Sequence, residues 1–166
     1  MKEKITLGQA VGESFDDNFS DFDLTEIQHV LSVLASENAI DIAHAEMLQQ
    51  KTLYGADILI GYIAKLVKTV SFLETKINSV KNKVALEYKA ADGKTTADMK
   101  KQAGESSEDV EKLNVLLAKA KGSKTFLERK YEILIKAHHY YKDVGIGMRK
   151  GIVSSSNNNN DMIGWK

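Results

Sequence analysis

Leu59, Ile63, Leu66, Val70, Leu73, Ile77, Val80 and Val84 follow one another at alternating steps of four and three residues. That spacing is an unbroken heptad seam, and it predicts a helix with one apolar edge that something must cover. The residues between are largely Lys, Thr, Ser, Asn and Glu, so the opposite side is wet and mostly basic. A second seam runs Val110, Leu113, Leu117, Ala120, Lys124, Leu127, Tyr131, Leu134, His138, Tyr141. Two seams joined by a short connection pair antiparallel, which predicts an all-α fold: a long antiparallel αα-hairpin, coiled-coil-like, with a shorter helix before it. Lys124, His138 and Tyr141 stand where aliphatics are expected, so pairing should be firmest near the connection and looser beyond it unless other subunits cover the remainder.

The shorter helix should begin at Asp23, with Glu26 three residues on as a capping-box-like pair, and should bury Leu24, Ile27, Leu31 and Leu34. A turn falls at Ser36, Glu37 and Asn38. From Ile40 to about Ala91 nothing stops a helix except Gly55 and Gly61, each costing roughly 1 kcal/mol against Ala. If unbroken, about fifty residues make a rod of roughly 75 Å. Asp92-Gly93-Lys94-Thr95 ends it as a turn. Thr96 to Ala103 can form a short helix closed by Gly104, Ser106 with Asp109 caps the return helix, and Gly151 closes that helix.

The helical domain therefore spans residues 23–151. Residues 1–22 show no sustained period and form an expected flexible leader, acidic and aromatic, in which Phe15, Phe19 and Phe22 would make one stripe if the segment became helical on a partner. Residues 152–166, rich in Ser and Asn with the single Trp165 near the tip, form an expected disordered tail. Composition agrees with long helices: 166 residues contain no Pro, which would break helix interiors and occurs at about one residue in twenty on average. The absence of Cys excludes disulfides and thiolate chemistry, and with no apolar run of transmembrane length the expectation is a cytoplasmic protein that does not enter membranes.

The formal charge of zero conceals an asymmetry. Residues 1–46 hold ten acids and two bases (net −8), residues 65–101 nine bases and four acids (net +5), and residues 119–150 nine bases and three acids (net +6). A basic surface along the long helices suits a polyanion; an acidic front suits a protein partner or a cover over that surface.

Motifs for catalysis are weak. Gly93-Lys94-Thr95 resembles the end of a phosphate loop, but the first glycine of that motif would fall on Tyr88. Glu26-x-x-His29 and Asp41-x-x-His44 have the spacing of di-iron bundle ligands without the further Glu pair that such sites need. His138 and His139 are adjacent and point about 100° apart, so they cannot chelate one ion. No nucleophile, base and acid constellation is evident, so the expectation is neither an enzyme nor a cofactor-binding protein. What remains is the basic back: Lys65, Lys68, Lys76, Lys81, Lys83 and Lys89 on the long helix, Lys94, Lys100 and Lys101 at the connection, and Arg129 and Lys130 on the return helix, with Tyr88 as a base-stacking platform. The alternative is an ordinary solvated coiled-coil face.

Lys83-Val84-Ala85-Leu86 followed by Lys89, a turn with Gly93, then Ile135-Lys136, Met148-Arg149 and Gly151 on a second long helix resembles the UvsY family of recombination mediators from T-even phages. The order of elements agrees, from the Leu24-Thr25-Glu26 helix through the Ile40-Asp41 restart to the final helix, over roughly residues 23–151. The resemblance implies an all-helical homo-oligomer that assembles into a ring, binds single-stranded DNA and helps load a RecA-like recombinase onto DNA coated with single-strand binding protein, with roles in DNA recombination, repair and replication inside an infected bacterium. In that family two basic residues just after the Val-Ala-Leu run contact DNA. They fall here on Glu87 and Lys89, so only Lys89 is retained. The family's assembly is attributed to its C-terminal helix, here the seam from Tyr131 to Arg149. The rival expectation is a coiled-coil interaction or scaffold protein with no nucleic-acid role.

Overall fold

The structure, a computed structural model, describes residues 6–7, 22–90 and 93–160, the last nine of these as backbone only. Phe15 and Phe19, the predicted helix end at Ala91, the first turn residue Asp92, and Trp165 lie outside the described residues. Among the described residues four helices follow in order: α1 (Thr25–Ser36), α2 (Ile42–Glu87), α3 (Ala97–Glu105) and α4 (Glu108–Asn160). No strand is present among the described residues; Thr6 and Asp23 make one isolated antiparallel bridge.

The two seams close on each other as predicted. From α2, Leu59, Leu66, Leu73 and Ile77 are buried; from α4, Val110, Leu113, Ala120, Leu127, Leu134 and Tyr141 are. Burying a Leu fully stabilises by roughly 1.5–3 kcal/mol, so these layers dominate the energetics of the hairpin. Register is marked by an ion pair, Lys121 to Glu74 at 2.8 Å, and by Gln49 beside His138 Nε2 at 3.4 Å. Both pairs fit only antiparallel helices. α2 is continuous, with its 46 residues making a rod of about 69 Å at 1.5 Å per residue.

The far end of the hairpin is not loose. α1 lies across it, contributing Leu24, Ile27, Val30 and Val33 to the core. Val30 and Val33 are buried, whereas the predicted Leu31 and Leu34 are partly buried beside them, because α1 sits in the groove between two helices and buries a broad face. Gly55 permits this: a Cβ there would lie 3.0 Å from Leu134 Cδ1 and 3.6 Å from Val30 Cγ1. The gap that the second seam leaves at its polar positions is thus filled by the chain's own first helix. His138 turns to Gln49, and Tyr141 packs with Val33 and Leu48.

α1 is fastened at both ends by tyrosine hydroxyls. Tyr62 of α2 donates to the Asp23 carbonyl at 3.1 Å, and Tyr141 of α4 donates to the Glu37 carbonyl at 3.2 Å. Burial raises both phenol pKa values above the ordinary 10.0, with the negative charge of Asp23 adding to the effect at Tyr62 and Tyr140 and Glu37 adding to it at Tyr141. Within the leader expected to be flexible, Leu7 is fully buried in the core and its N–H donates to the Phe22 carbonyl at 2.8 Å. Phe22 stacks on Tyr62 at 4.6 Å, beneath Lys65.

Boundaries differ from expectation for identifiable reasons. α1 starts at Thr25, whose N–H donates to Asp23 Oδ1 at 3.0 Å, so Asp23 caps from just outside the helix. α2 restarts at Ile42 because Asp41 caps it, accepting from His44 N–H at 2.7 Å. It stops at Glu87, where Tyr88 turns to an extended conformation. Gly93, at φ 75, supplies the predicted turn. Thr96 caps α3 through Met99 N–H. Gly104 does not close α3 but lies inside it, where a Cβ would stand 2.7 Å from the Lys81 carbonyl oxygen; its role is to let α3 touch the backbone of α2. Ser106 returns its hydroxyl to the Gln102 carbonyl, so it ends α3 and does not cap α4. Gly151 does not close α4, which continues to Asn160; among the described glycines only Gly93 takes the left-handed conformation.

Two outcomes follow. Gly104→Ala should lower stability by about 1–3 kcal/mol through overpacking against a backbone that cannot yield, measured by urea unfolding. Because the folded pKa values of Tyr62 and Tyr141 lie above the unfolded value, their contribution is complete below pH 10 and lost as pH rises through the folded values. Thermal melts from pH 8 to 11 should show that decline. Tyr62→Phe with Tyr141→Phe should flatten it while costing about 0.5–1.5 kcal/mol per lost bond at neutral pH.

Candidate nucleic-acid interface

Antiparallel register decides which of the candidate residues meet. Lys121 is level with Glu74, so Lys130, nine residues further along α4, is level with about Lys65 on α2. Arg129 and Lys130 therefore lie about 27 Å along the hairpin from Lys83, counted as eighteen residues at 1.5 Å. They do not join the group at the connection. Lys130 instead stands 5.4 Å from the centroid of Phe126.

Helical phase divides the remainder. Lys81 and Lys83 are two residues apart and leave α2 about 200° from each other, on opposite sides. Lys81 is half-buried and its carbonyl lies under Gly104, which puts it on the side that α3 covers; Lys100 of α3 is half-buried and Lys101 exposed. Lys83 and Lys76 are exposed on the outward back. Lys89 and Lys94 are exposed around the Gly93 turn. Tyr88, the expected stacking platform, is half-buried at the C-terminal cap of α2, whereas Glu87 is exposed.

The electrostatic contrast between two sets of cations is the clearest feature of the surface. Lys112 pairs with Glu108 at 2.6 Å, Lys121 with Glu74, Lys124 with Glu128 at 2.9 Å, and Arg149 with Glu46. Among the described residues, none of Lys76, Lys81, Lys83, Lys89, Lys100, Lys101, Arg129 and Lys130 has a carboxylate partner. From Ile58 to Leu86, α2 carries five lysines and one acid, Glu74, which is directed to Lys121.

One functional candidate is not apparent from residue type alone. Phe72 is 63% exposed on the back of α2, with Lys76 Nζ 5.9 Å from its ring centroid. A lone aromatic outside a seam reads as incidental in sequence; its phase relative to Lys65, Lys76 and Lys83 is the signal that distinguishes it.

Other chemistry has little to work with. Among the described residues no three His, Asp or Glu side chains gather as a metal site. Asp41 is occupied as a cap, and His44 bridges the α1–α2 turn, with Nε2 3.2 Å from Glu37 Oε2. A surface concavity of about 380 Å³ between α3 and α4 is lined by Glu105, Ser106, Glu111, Asn114, Val115 and Ala118. Its one hydroxyl, on Ser106, is committed to the Gln102 carbonyl. No helix among the described residues is long and apolar enough to cross a membrane. Comparison of the chain with protein-family models, curated proteins and solved structures finds no match.

Proposed function

We propose that this protein binds single-stranded DNA along the basic surface of its helical hairpin and acts as a recombination mediator, helping to load a RecA-like recombinase onto DNA coated with single-strand binding protein. The observation that carries the binding half is the set of lysines left without carboxylate partners on and beside α2, next to others on the same hairpin that are paired. Pairing neutralises a cation locally, while an unpaired one remains available to a phosphate. The mediator half rests on the resemblance of Lys83-Val84-Ala85-Leu86 and the following elements to the UvsY family. Lys89, at the retained contact position, is exposed and unpaired.

A homo-oligomer is part of the same reading. The seam from Tyr131 to Arg149, which the resemblance assigns to assembly, is largely occupied within the chain by α1 and the first part of α2. What α4 leaves outward there is Ile133, Tyr140 and Ile146, and α2 adds exposed Leu53, Ile60 and Val67 at successive steps of seven. That stripe also favours the second reading, a coiled-coil scaffold with no DNA role.

A titration with an unstructured oligonucleotide separates the two. Log affinity should fall with log salt at a slope of about −0.7 per phosphate engaged. Lys83→Ala with Lys89→Ala should weaken binding several-fold with unchanged helicity by circular dichroism. Salt-indifferent binding, or none, would favour the scaffold; full retention by the double variant would move the contact off this end of α2.

A further inference from the structure

We propose that Phe72 is a base-stacking platform on a track of lysines and aromatics that follows the outward back of α2; this rests on the reading of the protein as a binder of single-stranded DNA. The placement follows from helical phase. Tyr54 and Phe72 are eighteen residues apart, five complete turns, so they share one direction at an axial separation of about 27 Å. Lys65 and Lys83 are also eighteen residues apart, and they lie within about 20° of that direction. Lys76 is one turn beyond Phe72. Taken from Phe72, the buried Leu59, Leu66, Leu73 and Ile77 lie about 100–140° round the same helix, so the five share one exposed flank beside the seam, with Lys76 nearest to it.

Single exposed apolar residues are common and need no explanation. Phe72 differs in its surroundings. Tyr54 is 56% exposed and Phe72 63% exposed, and the lysines that follow them on the line have no carboxylate partners among the described residues. Between Tyr54 and Lys83 the acids are Asp57, exposed one turn from Tyr54, and Glu74, which is paired with Lys121 across the hairpin. Lys76 lies 5.9 Å from the Phe72 centroid, so one cation of the line is held against its aromatic, while Lys65 lies 5.7 Å from the Phe22 centroid and 5.8 Å from that of Tyr62, off the line. A strip that alternates π-faces with ammonium groups, with Asp57 near its Tyr54 end, matches a ligand that alternates π-faces with phosphates. Single-stranded DNA is such a ligand: its bases stack on aromatics without sequence preference while its backbone meets the lysines. Phe72 lies about 23 Å along α2 from Glu87, so this platform is separate from the contact implied after the Val-Ala-Leu run.

The test compares an oligothymidylate with an abasic strand of equal length by fluorescence anisotropy at fixed salt. The wild-type protein should prefer the base-bearing strand. Phe72→Ala should lose roughly 5- to 140-fold in affinity for it, the equivalent of 1–3 kcal/mol per stacked base at 1.4 kcal/mol per tenfold. Its affinity for the abasic strand and its circular dichroism spectrum should be unchanged, and Phe72→Trp should restore the preference. Equal affinity of the wild type for both strands, or an undiminished preference in Phe72→Ala, would overturn the platform while leaving DNA binding intact. Failure of the wild type to bind either strand would overturn the DNA-binding reading and the platform with it.

Discussion

The whole molecule depends on the dry contact between α2 and α4. Leu59, Leu66 and Leu73 from one side and Ala120, Leu127 and Leu134 from the other form successive apolar layers that hold the rods antiparallel and fix the phase of each. Once that phase is set, every other residue of α2 has its direction decided. Glu74 must face Lys121, and Lys65, Phe72, Lys76 and Lys83 must face water. The basic back is a geometric consequence of the seam and cannot be rotated away without exposing its leucines.

The hairpin alone would be incomplete at its open end, where polar residues enter the second seam. α1 resolves this by lying across the groove, with Ile27, Val30 and Val33 inward and a tyrosine hydroxyl holding the carbonyl at each end. Leu7 adds one further apolar side chain to the same core. At the other end α3 folds back against α2, which requires Gly104 because a methyl group would meet the Lys81 carbonyl. The result is a rod with both ends closed by its own chain and its long back left open.

Much of this is legible in the sequence because heptad spacing is a strong, local signal. The seam positions and the antiparallel return follow from it, and the Gly93 turn follows from its own residue types. The cover over the open end does not, since Val30, Val33 and Leu7 acquire their roles only when α1 finds the groove, and a single Leu in an aperiodic segment carries no pattern. Gly104 reads as a helix stop because close backbone approach has no sequence signature. The candidate surface is legible in its charge but not in its geometry: sequence gathers Lys81, Lys83, Arg129 and Lys130 into one basic surface, whereas helical phase and register send them to different places. Phase also brings out Phe72, which residue type alone passes over in favour of the half-buried Tyr88.

The central claim is that the unpaired lysines on the back of α2 meet a nucleic acid strand while the paired lysines of the hairpin do not. Amine-reactive labelling read by mass spectrometry, with and without a saturating unstructured single-stranded oligonucleotide at low salt, tests this residue by residue. The account predicts that Lys65, Lys76 and Lys83 are protected and that Lys112, Lys121 and Lys124 are unchanged. Equal protection of both sets, or protection of neither, would contradict it.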